Sequence, residues 1–160
     1  MKIADAVLQG KGVSEQYSDT PNLDSQVLIA HITGQPRSWI LAHLEEVFPL
    51  ELEVRLSEAL NQIKAGIPLP YVLGEWEFYN HTFELTPDVL IPRPETELLV
   101  EIAEEWLVTH PESRQTADIG TGSGCIAISL AVQVPDLQVV ATDISEAALA
   151  VAQANAARHE

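Results

Sequence analysis

Gly120-Thr121-Gly122-Ser123-Gly124 places three glycines in five residues, and Asp143 follows Gly124 by 19 residues. Glycines at this density let the backbone take positive φ values and let a ligand lie against bare main chain. Thr116-Ala117-Asp118-Ile119 runs into the turn with the composition of a buried strand. Cys125-Ile126-Ala127-Ile128-Ser129-Leu130-Ala131 leaves it with the composition of a helix packed on a sheet. The start of such a helix offers unpaired N–H groups and a partial positive charge. Gln138-Val139-Val140-Ala141-Thr142 is a second strand, and it ends on Asp143. A carboxylate emerging there accepts hydrogen bonds from both hydroxyls of a ribose. The order strand, glycine turn, helix, strand, acid predicts a nucleoside site.

The kind of nucleoside is narrowed by what the segment lacks. The dinucleotide fingerprint G-x-G-x-x-G sets its third glycine one residue later than Gly124. No Gly-Lys-Ser or Gly-Lys-Thr occurs, and residues 116–143 contain no lysine, which disfavours a triphosphate. Two competing readings are that the glycines only tighten a turn and that Asp143 only caps the next helix, although Ser145 is also placed to cap it.

The elements that position these residues follow from pattern. Residues 120–137 are long enough for the helical crossover that parallel strands require. A right-handed crossover puts the turn at the carboxyl end of the sheet, where open α/β folds bind ligands. Upstream, residues 1–73 read as a small helical bundle. Ile3, Val7 and Leu8 form one apolar stripe. Leu23, Val27, Leu28, Ala30 and Ile32 form a second, ending near Gly34. Ser38 is the expected cap of a third helix with Trp39, Ile40, Leu41 and Leu44. Between Pro49 and Gly66, the residues Leu52, Leu56, Ala59, Leu60 and Ile63 fall on one helical face. Pro68 and Pro70 break the helical pattern. Residues 74–91 then read as a β-hairpin linker, with Trp76 and Phe78 on one side, Thr82, Phe83 and Leu85 on the other, and a turn at Asn80-His81. Val89-Leu90-Ile91 is a further extended run. From residue 92 to 160 the α/β domain begins, with a helix opened by Pro94 whose expected buried face is Leu98, Leu99, Ile102, Ala103 and Leu107.

Composition limits the function classes. The 160 residues are 46% hydrophobic with formal net charge −16, a field that repels phosphate backbones and argues against direct nucleic-acid binding. No run of about 20 apolar residues spans a membrane, and the first residues do not form a signal peptide, so the expected location is cytoplasmic. One cysteine, Cys125, excludes an internal disulfide framework and a multi-cysteine zinc site, and no metal is expected. His31, His43 and His81 fall in the bundle and hairpin and read as structural. Cys125 reads as a small packing residue, and Trp39, Trp76 and Trp106 as core or inter-domain residues.

Three segments carry a closer likeness: Gly66-Ile67-Pro68-Leu69-Pro70-Tyr71-Val72-Leu73-Gly74 leading to Trp76-Glu77-Phe78, then Leu90-Ile91-Pro92-Arg93-Pro94-Glu95-Thr96-Glu97, then Asp118-Ile119-Gly120-Thr121-Gly122-Ser123-Gly124. In this order the chain resembles the amino-terminal portion of the release factor glutamine methyltransferases, the PrmC/HemK family. The resemblance implies a helical substrate-recognition domain followed by a truncated class I, Rossmann-like methyltransferase domain. It implies S-adenosylmethionine as cofactor and a peptide-chain release factor as protein substrate, methylated on the glutamine of its Gly-Gly-Gln loop, by a monomer. Gly120, Thr121, Gly122, Ser123 and Gly124 would line the methionine and ribose portions of the cofactor, and Asp143 would hold the ribose hydroxyls. The family's Asn-Pro-Pro-Tyr motif, which holds the target amide, does not occur in these residues, so no catalytic residue is assigned. With two strands of the expected sheet present, the 160 residues themselves are expected to bind cofactor poorly, to methylate nothing, and to have a stable front half and a labile back half. The alternatives are a nucleic-acid amino-group methyltransferase and a non-catalytic fragment that contacts a partner.

Overall fold

Prolines and glycines set several of the helix limits in the computed structural model, which describes residues 1–159. The first unit, Met1–Leu73, holds α1 (Ile3–Ser14), α2 (Pro21–Thr33), α3 (Arg37–Ala42), α4 (Glu53–Lys64) and α5 (Leu69–Leu73). Pro21 stands in the first turn of α2, and Gly34 ends that helix in the left-handed conformation at φ 66°. Ile3, Leu28, Ile29, Ile40, Phe48 and Leu56 are almost wholly buried and form its core. The spacing read along α4 holds, with Leu56, Ala59, Leu60 and Ile63 all turned inward.

Three local expectations shift here. Ser38 lies inside α3, whose cap is Pro36; the fixed φ of proline suits the extended entry to a helix. Pro68 and Pro70 do not exclude a helix, because the short α5 begins beside them, where a first-turn N–H would lack a partner in any case. Leu8 is exposed, since α1 turns Ala6, Val7 and Gly10 to the core.

The second unit runs from Gly74 onward. Its hairpin pairs β1 (Glu75–Phe78) with β2 (His81–Glu84) antiparallel, Trp76 opposite Phe83 and Phe78 opposite His81. The turn is Tyr79-Asn80, one residue earlier than the sequence indicates, and both residues have positive φ, 50° and 60°. That handedness matches the twist of the flanking strands. Tyr79 is held in it by α6 (Glu95–Thr109): its amide donates to Glu97 Oε1 at 2.9 Å, and its hydroxyl donates to Glu104 Oε2 at 2.7 Å. Val89-Leu90-Ile91 joins no strand; the Val89 amide closes a turn on the Thr86 carbonyl at 3.2 Å.

The same contacts fix the rotation of α6 about its axis. Glu97, Val100, Glu104 and Leu107 share one face, and Val100 and Leu107 are buried in the core of the unit with Phe78, Phe83 and Ile128. Leu98, Leu99 and Ile102, expected to be buried, are therefore more than half exposed. Periodicity shows that a helix is amphipathic but ranks its faces poorly when both are apolar.

Beyond α6, β3 (Gln115–Ile119), α7 (Cys125–Gln133), β4 (Gln138–Thr142) and α8 (Glu146–Arg158) complete an α/β unit. β3 and β4 lie side by side and parallel, with Thr116 opposite Val139 and Ile119 opposite Thr142. The segment read as a buried strand is only partly covered, and on one side: Thr116 and Asp118 are half-buried, whereas Ala117 and Ile119 on the opposite face are exposed. Among the described residues, no helix is long and apolar enough to cross a membrane.

The Tyr79 anchor generates a pH dependence. The Glu104 hydrogen bond, with burial and the surrounding carboxylates, pushes the Tyr79 hydroxyl up to about 12 from its ordinary 10.0. Below pH 10 the neutral hydroxyl contributes its full stabilisation. Between pH 10 and about 12 the unfolded chain loses this proton first, so stability falls as pH rises. Tyr79→Phe should remove that part of the alkaline decline, measured by denaturant unfolding at a series of pH values.

Candidate functional site

The glycine turn is fastened to the neighbouring strand before any side chain is considered. The amides of Gly120 and Thr121 both donate to the Thr142 carbonyl, at 2.8 and 2.9 Å, extending the strand pairing into the turn. Asp143 therefore leaves β4 directly beside it. Its Oδ2 accepts the Gly122 amide at 2.9 Å, and its Oδ1 accepts the Ser145 amide at 3.0 Å. These backbone bonds, that from Ser145 first and that from Gly122 second, hold the carboxyl below the ordinary aspartate range against a small opposing effect of burial. The group is a carboxylate at neutral pH.

The five turn residues divide by what they present. Thr121 and Ser123 are buried and leave Gly120 and Gly122 as the accessible part of the turn. The Thr121 hydroxyl donates to Asp118 Oδ2 at 2.8 Å, tying the end of β3 to the turn. Gly120 and Gly122 have φ of 82° and 56°, and a Cβ on either would meet nothing within 4 Å. Their bare faces look into open space. Gly124 is different: at φ 82° it caps α7, and a Cβ there would come within 2.9 Å of Ile128 Cδ1 and 3.3 Å of Ala152 Cβ. It is a packing glycine that lets α7 start against α8.

This arrangement fits a ribose-bearing ligand. A carboxylate has about four lone-pair positions; two on Asp143 are taken by main-chain N–H groups, and the remaining two suit a pair of vicinal hydroxyls. The unfilled Cβ positions of Gly120 and Gly122 provide the adjoining space. Helix capping, the competing role for Asp143, is performed by Ser145, whose hydroxyl accepts the Ala148 amide at 3.2 Å. Asp143 assists only by its bond to the Ser145 amide.

The other chemistry-bearing residues are engaged elsewhere. His43 stacks on Trp39 with ring centroids 4.1 Å apart and places Nδ1 2.7 Å from the Trp39 carbonyl. His31 lies half-buried in α2. His81 belongs to β2, with its ring 5.3 Å from that of His159. Cys125 is buried, and burial pushes its thiol up, with the nearby Asp118 charge acting in the same direction. It is a protonated packing residue. Trp106, expected in a core, is half exposed and stacks on His110 at 4.3 Å. Among the described residues, no group of three or more potential metal ligands comes together.

Two residues at the turn were not singled out from the sequence. The sequence marks Asp118 only as part of a strand, although it stands two residues before the glycines. Asn155 lay inside an alanine-rich helix, and its partners are 32 and 71 residues away, so no local signal marked it.

Comparison with known proteins assigns both units. Residues 6–74 match the PrmC N-terminal domain, and residues 94–160 match the methyltransferase small domain. The chain is similar to the release factor glutamine methyltransferase of Bordetella pertussis, 47% identical over 138 residues, covering 86% of this chain and 51% of that protein. It is also similar to the proteins of that name from Coxiella burnetii, 39% identical over 156 residues with 94% and 55% covered, and Moorella thermoacetica, 46% identical over 138 residues with 86% and 48% covered. The chain spans about half the length of these curated relatives.

The two classes of glycine should separate in a thermal unfolding experiment. Gly122→Ala adds a methyl to open space and costs about 1–2 kcal/mol for left-handed backbone. Gly124→Ala adds the clash with Ile128 and Ala152 to the same strain and should cost about 2–4 kcal/mol.

Proposed function

Since the chain belongs to the release factor glutamine methyltransferase family, as an amino-terminal portion of its members, we propose that Gly120, Thr121, Gly122, Ser123, Gly124 and Asp143 bind S-adenosylmethionine, and that the protein at the length of its relatives transfers a methyl group to the side-chain amide of a glutamine in a peptide-chain release factor. The target is the glutamine of the Gly-Gly-Gln loop. The observation that carries this reading is the Asp143 carboxylate, turned toward Gly122 at 2.9 Å beside two glycines that leave their side-chain space open.

When bound, S-adenosylmethionine supplies an electrophilic methyl on a sulfonium whose leaving group is neutral and needs no acid. Asp143 grips the ribose hydroxyls with its free lone pairs. Its two main-chain bonds prevent it from swinging away, so the carboxylate is already oriented before the ligand arrives. The main chain of residues 120–124 holds the neighbouring part of the ligand by close approach, which a side chain at 120 or 122 would block. A carboxamide nitrogen is a weak nucleophile, so its orientation and polarisation dominate over base catalysis. The Asn-Pro-Pro-Tyr sequence that would perform this does not occur in residues 1–160, and no residue here takes the role. Residues 1–73 are the release-factor-recognition domain in this reading, residues 74–91 link it to residues 92–160, which hold the cofactor, and the protein acts in the cytoplasm.

Two measurements test the proposal. In calorimetric titration of the protein at the length of its relatives with S-adenosylmethionine, Asp143→Ala should weaken binding by about 30- to 1,000-fold, an aggregate loss of about 2–4 kcal/mol in hydrogen bonding to a charged acceptor; unchanged affinity would remove Asp143 from the site. With methyl-tritiated cofactor and the protein at the length of its relatives, label should pass to a release factor and be lost when its Gly-Gly-Gln glutamine is replaced by alanine. Label on DNA and none on release factor would favour the nucleic-acid alternative.

A further inference from the structure

Among the fully buried polar side chains of the second unit is an amide whose three hydrogen bonds all go to main chain. Asn155, on α8, is 0% exposed. Its Oδ1 accepts the Glu84 amide at 2.7 Å, and its Nδ2 donates to the Glu84 carbonyl at 3.0 Å and to the Ser123 carbonyl at 2.9 Å. Both amide protons are used. Glu84 ends β2 and lies opposite Glu75 in the hairpin; its N–H and C=O point away from β1, and Asn155 pairs with both, as a further strand would. The third bond enters the glycine turn. The peptide between Ser123 and Gly124 is thus held at both ends, its carbonyl by Asn155 and its N–H by the Thr121 carbonyl at 2.9 Å.

Isolated from water, such a network holds one geometry, because any rotation of that peptide strands a buried polar group. The remainder of α8 supports the placement: Arg158 pairs with Glu75 at 3.2 Å, and His159 Nε2 lies 2.9 Å from the Thr82 carbonyl. We propose that Asn155 is the positioning residue of the cofactor turn, locking the Ser123–Gly124 peptide so that Gly120 and Gly122 keep their open faces toward the ligand, and joining that turn to the hairpin. The proposal rests on the cofactor reading above for its ligand but not for its geometry.

The test separates the two. Asn155→Asp keeps the acceptor for the Glu84 amide and replaces both donors with an acceptor; Asn155→Ser leaves room for water and serves where the first variant does not fold. Leu107→Ala is the control, because it weakens the same core without touching the turn. Hydrogen exchange followed by NMR on the protein at the length of its relatives reads the Gly124 amide. At matched loss of thermal stability, exchange at Gly124 should quicken at least tenfold more in the Asn155 variants than in the control. Titration with S-adenosylhomocysteine should show affinity reduced about tenfold or more in the variants and changed by less than twofold in the control. Equal Gly124 exchange in variant and control overturns the positioning role whatever the ligand result. Altered exchange in the variants, with no nucleoside bound even by the unaltered protein at the length of its relatives, supports the lock while overturning the cofactor reading.

Discussion

One carbonyl holds the site together. Thr142 accepts two successive amides, from Gly120 and Thr121, and a carbonyl can do this because it has two lone pairs. The double bond carries the parallel register of β3 and β4 past the end of the strand and into a loop that would otherwise be free. Everything downstream inherits its placement. Asp143 is the next residue after Thr142, so its carboxylate cannot avoid the turn, and the Gly122 amide meets it at 2.9 Å. A ligand site made of main chain needs this fixation more than one made of side chains, since its donors and bare surfaces have no rotamers and move only with the backbone.

The charge of the site follows from the same bonds. Asp143 is stabilised as a carboxylate by N–H dipoles and not by a cation, and residues 116–143 contain no lysine. An arginine or lysine partner would compete for the lone pairs that a ribose needs. Two neutral N–H donors fix the group, keep it ionised and leave its outward side available. The chain as a whole has formal net charge −16, a field that disfavours polyphosphates and nucleic-acid backbones.

Much of the site was legible because its signals are local. Three glycines in five residues, a strand pattern on either side and an acid at the end of the second strand are properties of contiguous sequence, and the parallel pairing of residues 116–119 with 139–142 follows from them. Legibility failed where tertiary contacts choose among local options. α6 offers two apolar faces, and the bonds from Tyr79 to Glu97 and Glu104 select the one bearing Val100 and Leu107. The hairpin turn falls at Tyr79-Asn80, although tyrosine is an uncommon residue at positive φ, because those side-chain and amide bonds on α6 compensate the backbone cost. Asn155 was illegible, since a polar residue in an alanine-rich helix ordinarily faces water.

The alanine at position 152 of α8 has a physical reason in the turn that it faces. The third glycine, Gly124, has 2.9 and 3.3 Å of clearance for a Cβ, the second of these against Ala152. Glycine on one side and alanine on the other let the start of α7 approach α8 closely, and any larger pair would push the helices apart. One turn further along the same face, Asn155 reaches the Ser123 carbonyl, a contact that requires that closeness because an asparagine side chain is short. Ala148, Val151, Ala152 and Asn155 form the buried face of α8, and two of them read adjacent residues of the turn, one by size and one by hydrogen bonding. Setting the third glycine at position 124 rather than one residue later is therefore a choice of packing partner. It brings the following helix, and through Asn155 the hairpin, into direct register with the main chain of the glycine turn.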